Sequence, residues 1–128
     1  MLYADSSALV KLVVAERESD ALRAYLDSGS GLVSSALAAT ELVRVARRLR
    51  PELDQDALRV LGDIVLIDLD RSILTAAGTI EPPMMRALDA IHVATALTLG
   101  SDLDAVLTYD TRMSEAARSA GLRVEAPA

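Results

Sequence analysis

Apolar residues follow two rhythms along this chain. Short, mostly apolar runs occur at Leu2-Tyr3-Ala4, Leu32-Val33-Ser34, Ile64-Val65-Leu66-Ile67, Ala105-Val106-Leu107-Thr108 and Leu122-Arg123-Val124. Between them lie longer stretches in which apolar positions recur every three or four residues. The runs predict strands and the stretches helices, over 6–15, 16–26, 36–49, 54–61, 71–77, 85–99 and 111–120. Punctuation agrees: Ser28-Gly29-Ser30-Gly31 makes a turn, Pro51 stops a helix, and Gly100 and Gly121 close two more. Pro82-Pro83 is expected to open the long helix, because proline is tolerated in a first helical turn. The β-branched run at Ile64–Ile67 reads as the clearest strand, of the kind buried on both faces of a parallel sheet.

Strands alternating with helices predict an α/β fold: three α/β/α layers around a parallel, roughly five-stranded sheet. With 128 residues and no internal repeat or linker, 1–128 is expected to be a single domain. Just over half the residues are hydrophobic, with no Phe or Trp and three Tyr, so the core is aliphatic and a disordered chain is excluded. The absence of cysteine removes disulfides, thiolate metal sites and cysteine nucleophiles together. Residues 1–5 lack the basic region of a secretory signal, and no apolar run nears the roughly 20 residues of a membrane span, so a cytoplasmic protein is expected. A formal net charge of −6 argues against holding nucleic acid by bulk positive charge.

In an open parallel sheet, ligands bind beyond the carboxyl ends of the strands, where strand order reverses. Asp5, Asp70 and Asp110 each stand where a strand gives way to a helix, and each has an ordinary reading as a helix N-cap. Capping cannot select Asp5 and Asp110 over Asp70. Glu41 falls between Leu37 and Val45 on a helical wheel, at the edge of the apolar stripe, where it needs a partner. That partner is either Arg44 at i+3 or a metal ion. Asp89, between Leu88 and Ile91, either complements a helix dipole or faces a pocket. Asp102 and Asp104 sit in a loop and read as solvated, as do Asp54, Asp56 and Asp63. Convergent acids suit Mg²⁺ or Mn²⁺, which prefer oxygen ligands and can activate water against a phosphodiester. Metal would also neutralise part of the negative charge.

Four segments together carry a resemblance: Leu2-Tyr3-Ala4-Asp5-Ser6-Ser7-Ala8-Leu9-Val10-Lys11; Ser34 to Glu41 with Leu42; Leu88-Asp89-Ala90-Ile91-His92-Val93-Ala94-Thr95-Ala96; and Leu107-Thr108-Tyr109-Asp110-Thr111-Arg112-Met113. In order and spacing the chain resembles the PIN-domain nucleases, and more closely the VapC-type toxins. The resemblance implies a metal-dependent ribonuclease, with Asp5, Glu41, Asp89 and Asp110 as acidic residues around Mg²⁺ or Mn²⁺ and Ser6 and Thr108 in support. It also implies an RNA substrate, an antitoxin protein as inhibitor and a homodimer. Met113 stands where many relatives carry an aromatic residue.

Several residues keep two readings. His92, three after Asp89, is either a general base or a helix histidine bonded to a backbone or carboxylate neighbour. Arg44, Arg47, Arg48 and Arg50 are either contacts for RNA or an acidic antitoxin segment or a solvated helix face. Lys11, the sole lysine, either approaches the pocket as an RNA or antitoxin contact or lies in solvent, and exposure is the stronger expectation. The competing functions are a non-catalytic protein of the same fold acting through a partner, an aspartate-based phosphatase, and a phospho-accepting receiver. The phosphatase usually has a second Asp two residues after the first, where Ser7 stands here. The receiver needs a lysine after a late strand, which this chain lacks.

Overall fold

The computed structural model describes residues 1–128. In chain order the elements are β1 (Leu2–Ala4), α1 (Ser6–Val13), α2 (Ser19–Leu26), β2 (Leu32–Ser35), α3 (Leu37–Leu49), α4 (Asp54–Gly62), β3 (Val65–Ile67), α5 (Arg71–Gly78), α6 (Ala87–Leu97), β4 (Ala105–Leu107), α7 (Thr111–Ser119) and β5 (Val124–Glu125). Single 3-10 turns occupy Pro51–Leu53 and Gly100–Asp102. The strands form one parallel sheet in the order β3-β2-β1-β4-β5.

Period-two alternation divides the strand side chains between two faces. Leu2, Ala4, Ala105 and Leu107 pack with Leu9 of α1, Leu42 of α3 and Ala57 of α4. Tyr3, Val33 and Val106 turn the other way, onto Val93 of α6 and Met113 of α7. A smaller cluster, Ile73, Ala77, Ala90 and Ala94, joins α5 to α6. Helices therefore cover both faces, giving the three layers. Each fully buried leucine contributes roughly 1.5–3 kcal/mol, which is how an aliphatic core replaces the missing Phe and Trp.

The sheet order has one consequence for function. From β1 the chain steps outward to β2 and β3, then returns across β1 to lay down β4 and β5. Strand order thus reverses between β1 and β4. Because Ala4 is in register with Leu107, Asp5 and Thr108 leave the sheet side by side, and the Asp5 N–H donates to the Leu107 carbonyl at 3.3 Å.

Three expectations need correction. β3 is an edge strand rather than a strand buried on both faces, and Val65 is 59% exposed. A β-branched run reports strand propensity; it carries no information about position in the sheet. Pro82-Pro83 does not open α6: Met85 N–H closes a turn on the Pro82 carbonyl at 3.0 Å, Arg86 is extended, and the helix begins at Ala87. The second helix starts at Ser19 instead of residue 16, because the Ser19 hydroxyl accepts from Glu16 N–H and donates to the Val14 carbonyl, holding a bend. Asp104 is exposed, as expected, and its carboxylate also accepts from the Met1 ammonium at 2.6 Å, which holds its pKa below the usual range.

Candidate active site

Asp5 is 5% exposed, and its carboxylate is fully engaged by its own segment and the end of β4. Oδ1 accepts from the Ser7 hydroxyl at 2.6 Å and the Ala8 N–H at 3.2 Å, while Oδ2 accepts from the Thr108 hydroxyl at 2.7 Å. The two hydroxyls then serve as acceptors: Ser7 Oγ from Tyr109 N–H at 2.9 Å, Thr108 Oγ1 from Asp110 N–H at 3.1 Å. Burial raises the Asp5 pKa, and the hydrogen bonds from Ser7 and Thr108 oppose it. The network ties the first acid to the backbone that carries Asp110.

Asp5, Asp70 and Asp110 all cap helices, accepting from Ala8, Ile73 and Arg112 N–H respectively. Capping and membership of a site are therefore compatible readings for Asp5 and Asp110. Topology separates them from Asp70: it follows edge strand β3, whereas Asp5 and Asp110 follow the two strands that flank the reversal.

Glu41 makes no ion pair with Arg44. Its Oε1 lies 2.6 Å from His92 Nε2, and His92 Nδ1 lies 2.6 Å from the Tyr3 hydroxyl. His92 and Tyr3 are 3% and 0% exposed. Burial, with the charges of Asp5 and Glu41 adding, drives the Tyr3 pKa far upward, so the phenol keeps its proton. For a neutral imidazole the consistent assignment has Tyr3 O–H donating to Nδ1 and Nε2–H donating to Glu41. This chain of contacts links α3, packed on one face of the sheet, to α6, packed on the other. Both imidazole nitrogens are occupied, so the geometry favours the carboxylate-bonded reading of His92 over the general base. Tyr3 and Ser7 were not among the site residues expected from sequence; Ser6 and Ser7 are adjacent hydroxyls, and only the turn into α1 shows that Ser7 is the one reaching Asp5.

Asp89 stands in the first turn of α6, and its Oδ2 is the one buried side-chain polar atom in the chain without a hydrogen-bond partner. Burial raises its pKa, as does the charge of Asp110; Arg112, His92 and Arg86 pull in the opposite direction. Of the four acids, Asp89 and Asp110 are close enough for their charges to act on one another, while His92, bonded to Glu41, lies within electrostatic reach of both Asp5 and Asp89. As the side chains stand, no three acids or histidine converge closely enough to hold an ion between them. The donor chemistry still fits a hard divalent cation. It offers carboxylate oxygens, no thiolate, and a buried carboxylate oxygen that lacks any donor.

The remaining candidates separate. Ser6 lines a cavity with Ser7, Val10, Lys11 and Tyr109 but donates no hydrogen bond to the Asp5 carboxylate. Lys11 is 8% exposed, correcting the expectation of a solvent-facing lysine. Its ammonium lies 2.8 Å from Glu18, 3.5 Å from Glu16 and 4.7 Å from the Tyr109 ring centroid. Those partners come from a bend and a distant strand end, which a helical wheel cannot display. Replacing Lys11 by Met removes a partly buried pair and a cation–π contact, at about 1–2 kcal/mol. The expected loss in melting temperature is roughly 4–8 °C by differential scanning calorimetry; an unchanged melting temperature would show the cluster to be energetically idle. Arg44, Arg47, Arg48 and Arg50 are exposed along α3 and form no ion pair.

Comparison with known proteins bears on this arrangement. The PIN domain family profile matches residues 2–119. The chain is 46% identical over 126 residues to Ribonuclease VapC46 of Mycobacterium tuberculosis, covering 98% of this chain and 97% of that one. The crystal structure of Mycobacterium tuberculosis VapC20, described as a sarcin-ricin loop cleaving toxin, superposes with a TM-score of 0.76 at 13% identity, over 99% and 100% of the two chains. A structure of FitAB bound to an IR36 DNA fragment gives 0.64 at 20% identity, over 99% and 95%. A family match across nearly the whole chain, with a relative this similar at full length, places the protein in the PIN-domain family, among its VapC-type members.

Proposed function

We propose that the protein is a metal-dependent endoribonuclease that hydrolyses RNA phosphodiester bonds and is held in check by an antitoxin protein. The observation that carries this reading is the buried, unpartnered Oδ2 of Asp89 beside the charge of Asp110, at the crevice where strand order reverses. Buried carboxylates without a cation are costly, and a fold keeps such a site where a cation repays the cost. Asp89 and Asp110, with Asp5 and Glu41, would hold Mg²⁺ or Mn²⁺. The ion would supply Lewis-acid chemistry, bringing a water to nucleophilic strength near neutral pH and taking up charge as it develops on the phosphate.

The chain's own residues do the rest. Ser7 and Thr108 aim the Asp5 oxygens, and their hydrogen bonds oppose the upward pull of burial on its pKa. Tyr3 and His92 fix one Glu41 oxygen, leaving the other free for the site. Support for the substrate comes from relatives whose names describe ribonucleases and, for VapC20, a toxin that cleaves the sarcin-ricin loop. Family membership as a toxin supports antitoxin control and a homodimer. No helix is long and apolar enough to cross a membrane, which accords with a cytoplasmic site of action.

The test is cleavage of total cellular RNA by the purified, antitoxin-free protein with Mg²⁺, with Mn²⁺ and with EDTA. Discrete cleavage products in either metal, absent in EDTA, are expected. A folded protein inert in both metals would instead favour a role through partner binding alone.

A further inference from the structure

Beside Asp89, between the turn preceding α6 and the outer side of α7, lies a cleft of about 310 Å³, lined among others by Pro82, Met84, Arg86, Asp89, Arg112 and Glu115. That volume is at the lower end for small-molecule sites, enough for one nucleotide rather than a large ligand. Two features set it apart from the rest of the surface.

Arg86 and Arg112 enter from different elements, the N-cap of α6 and the first turn of α7, and neither guanidinium has a hydrogen bond or ion pair within the chain. Both are close enough for their charge to act on the Asp89 carboxyl. Unpaired guanidinium groups on two walls of one cleft form a fork for a phosphate, which they can bind bidentately. Apolar surface supplies the second feature. Met84 is 90% exposed beside Pro82 and Met85, although the chain buries most of its large apolar side chains. The three tyrosines are not free to stack on a base: Tyr3 is buried, Tyr109 is bonded to the Pro127 carbonyl and covered by Lys11, and Tyr25 is packed against the core. A polarizable thioether can take that role through contact with the ring.

We propose that this cleft is the subsite for the nucleotide flanking the scissile bond of a single-stranded RNA, with Arg86 and Arg112 on its phosphate and Met84 against its base. The proposal rests on the ribonuclease reading and adds where the strand lies: along α6 and α7, rather than along the arginines of α3. It also shows how a chain of net charge −6 attracts a polyanion, by two local cations set next to acids that a metal would neutralise.

The experiment measures binding of a fluorescently labelled, randomised ten-nucleotide single-stranded RNA by anisotropy, with Ca²⁺ in place of Mg²⁺ to suppress cleavage, between 50 and 200 mM salt. The Arg86→Gln/Arg112→Gln variant is expected to bind on the order of tenfold or more weakly at low salt, with a slope of log affinity against log salt shallower by about 0.7, the share of the one single-strand phosphate the two arginines hold. Arg23→Gln/Arg59→Gln, on α2 and α4, makes the same change in net charge and is expected to retain the parent slope. Parent-like affinity and slope in the Arg86/Arg112 variant, while the parent protein cuts RNA, would overturn the proposal and leave the ribonuclease reading intact. A parent that neither binds nor cuts RNA in any metal would remove the ribonuclease reading first, and this one with it. Intact RNA binding combined with lost inhibition by the antitoxin would assign the cleft to a protein ligand, also overturning the proposal.

Discussion

Asp89→Asn is expected to lower RNA cleavage by about a hundredfold or more, the scale on which loss of one charge-stabilising group acts, while the metal-free protein becomes no less stable than the parent. The two halves have one cause. Asp89 Oδ2 is buried without a donor, and burial together with the Asp110 charge raises its pKa. The sign is the reverse of the usual stabilising carboxylate: a folded-state pKa above the unfolded value means that the ionised group disfavours the fold. Its contribution is most favourable below the unfolded pKa and is lost as pH rises through the folded one. At neutral pH the carboxylate is therefore a burden until a cation arrives. Asn keeps the shape and removes the charge, so in EDTA the variant's melting temperature is expected to equal or exceed that of the parent. Adding Mg²⁺ at ten times its dissociation constant stabilises the parent by about 1.4 kcal/mol through mass action, a rise of roughly 4–6 °C, and the variant by much less. A variant that melts well below the parent in EDTA would mean that Asp89 is a structural residue, and the cation reading of its orphan oxygen would be lost.

How far the sequence discloses such a site depends on which contacts are local. The acids at Asp5 and Asp110 are legible because each ends a short apolar run and begins a helix, a relation contained within ten residues. Their separation from Asp70 is not local: all three cap helices equally well, and the return of β4 to the inner side of β1 decides between them. Glu41 shows the same limit. Its place at the edge of an apolar stripe indicates that it needs a partner, but a helical wheel offers only Arg44; the real partner is 51 residues away and reaches it over the edge of the sheet. Lys11 is misjudged for a related reason, since its ion pairs depend on the bend at Ser19 and its ring contact on the end of β4. β3 is recognised as a strand but placed wrongly, because β-branched residues favour extended backbone at the edge of a sheet as well as in its middle.

The hydroxyl of Thr108 presents the strongest case for a small group governing a large effect. It is 1% exposed and serves two acids at once, donating to Asp5 Oδ2 at 2.7 Å and accepting from the Asp110 N–H at 3.1 Å. Thr108→Val preserves volume and β-branching, so packing changes little and the hydroxyl alone is deleted. Asp5 Oδ2 then loses its one donor in a buried setting, and the Asp110 amide loses its acceptor. An unsatisfied buried polar group costs about 1–3 kcal/mol, more where one partner is charged, so a loss of about 2–3 kcal/mol is expected by urea denaturation. Cleavage is expected to fall on the order of 10–100-fold, the range for groups that orient metal ligands, because Asp5 Oδ2 is no longer held and Asp110 is freed to move. Ser7→Ala supplies the comparison. Oδ1 of Asp5 keeps the Ala8 N–H when Ser7 is lost, so that variant is expected to suffer less in both measurements. Thr108→Ser retains the hydroxyl and is expected to recover most of the activity. Stability lost with cleavage unchanged would make the hydroxyl a fold element only; equal losses in Ser7→Ala and Thr108→Val would show that the two acids are not coupled through Thr108. The expected order, Thr108→Ser above Ser7→Ala above Thr108→Val, follows from how the donors fall on the two Asp5 oxygens: Thr108→Ser keeps all three, Ser7→Ala leaves one on each oxygen, and Thr108→Val leaves Oδ2 with none.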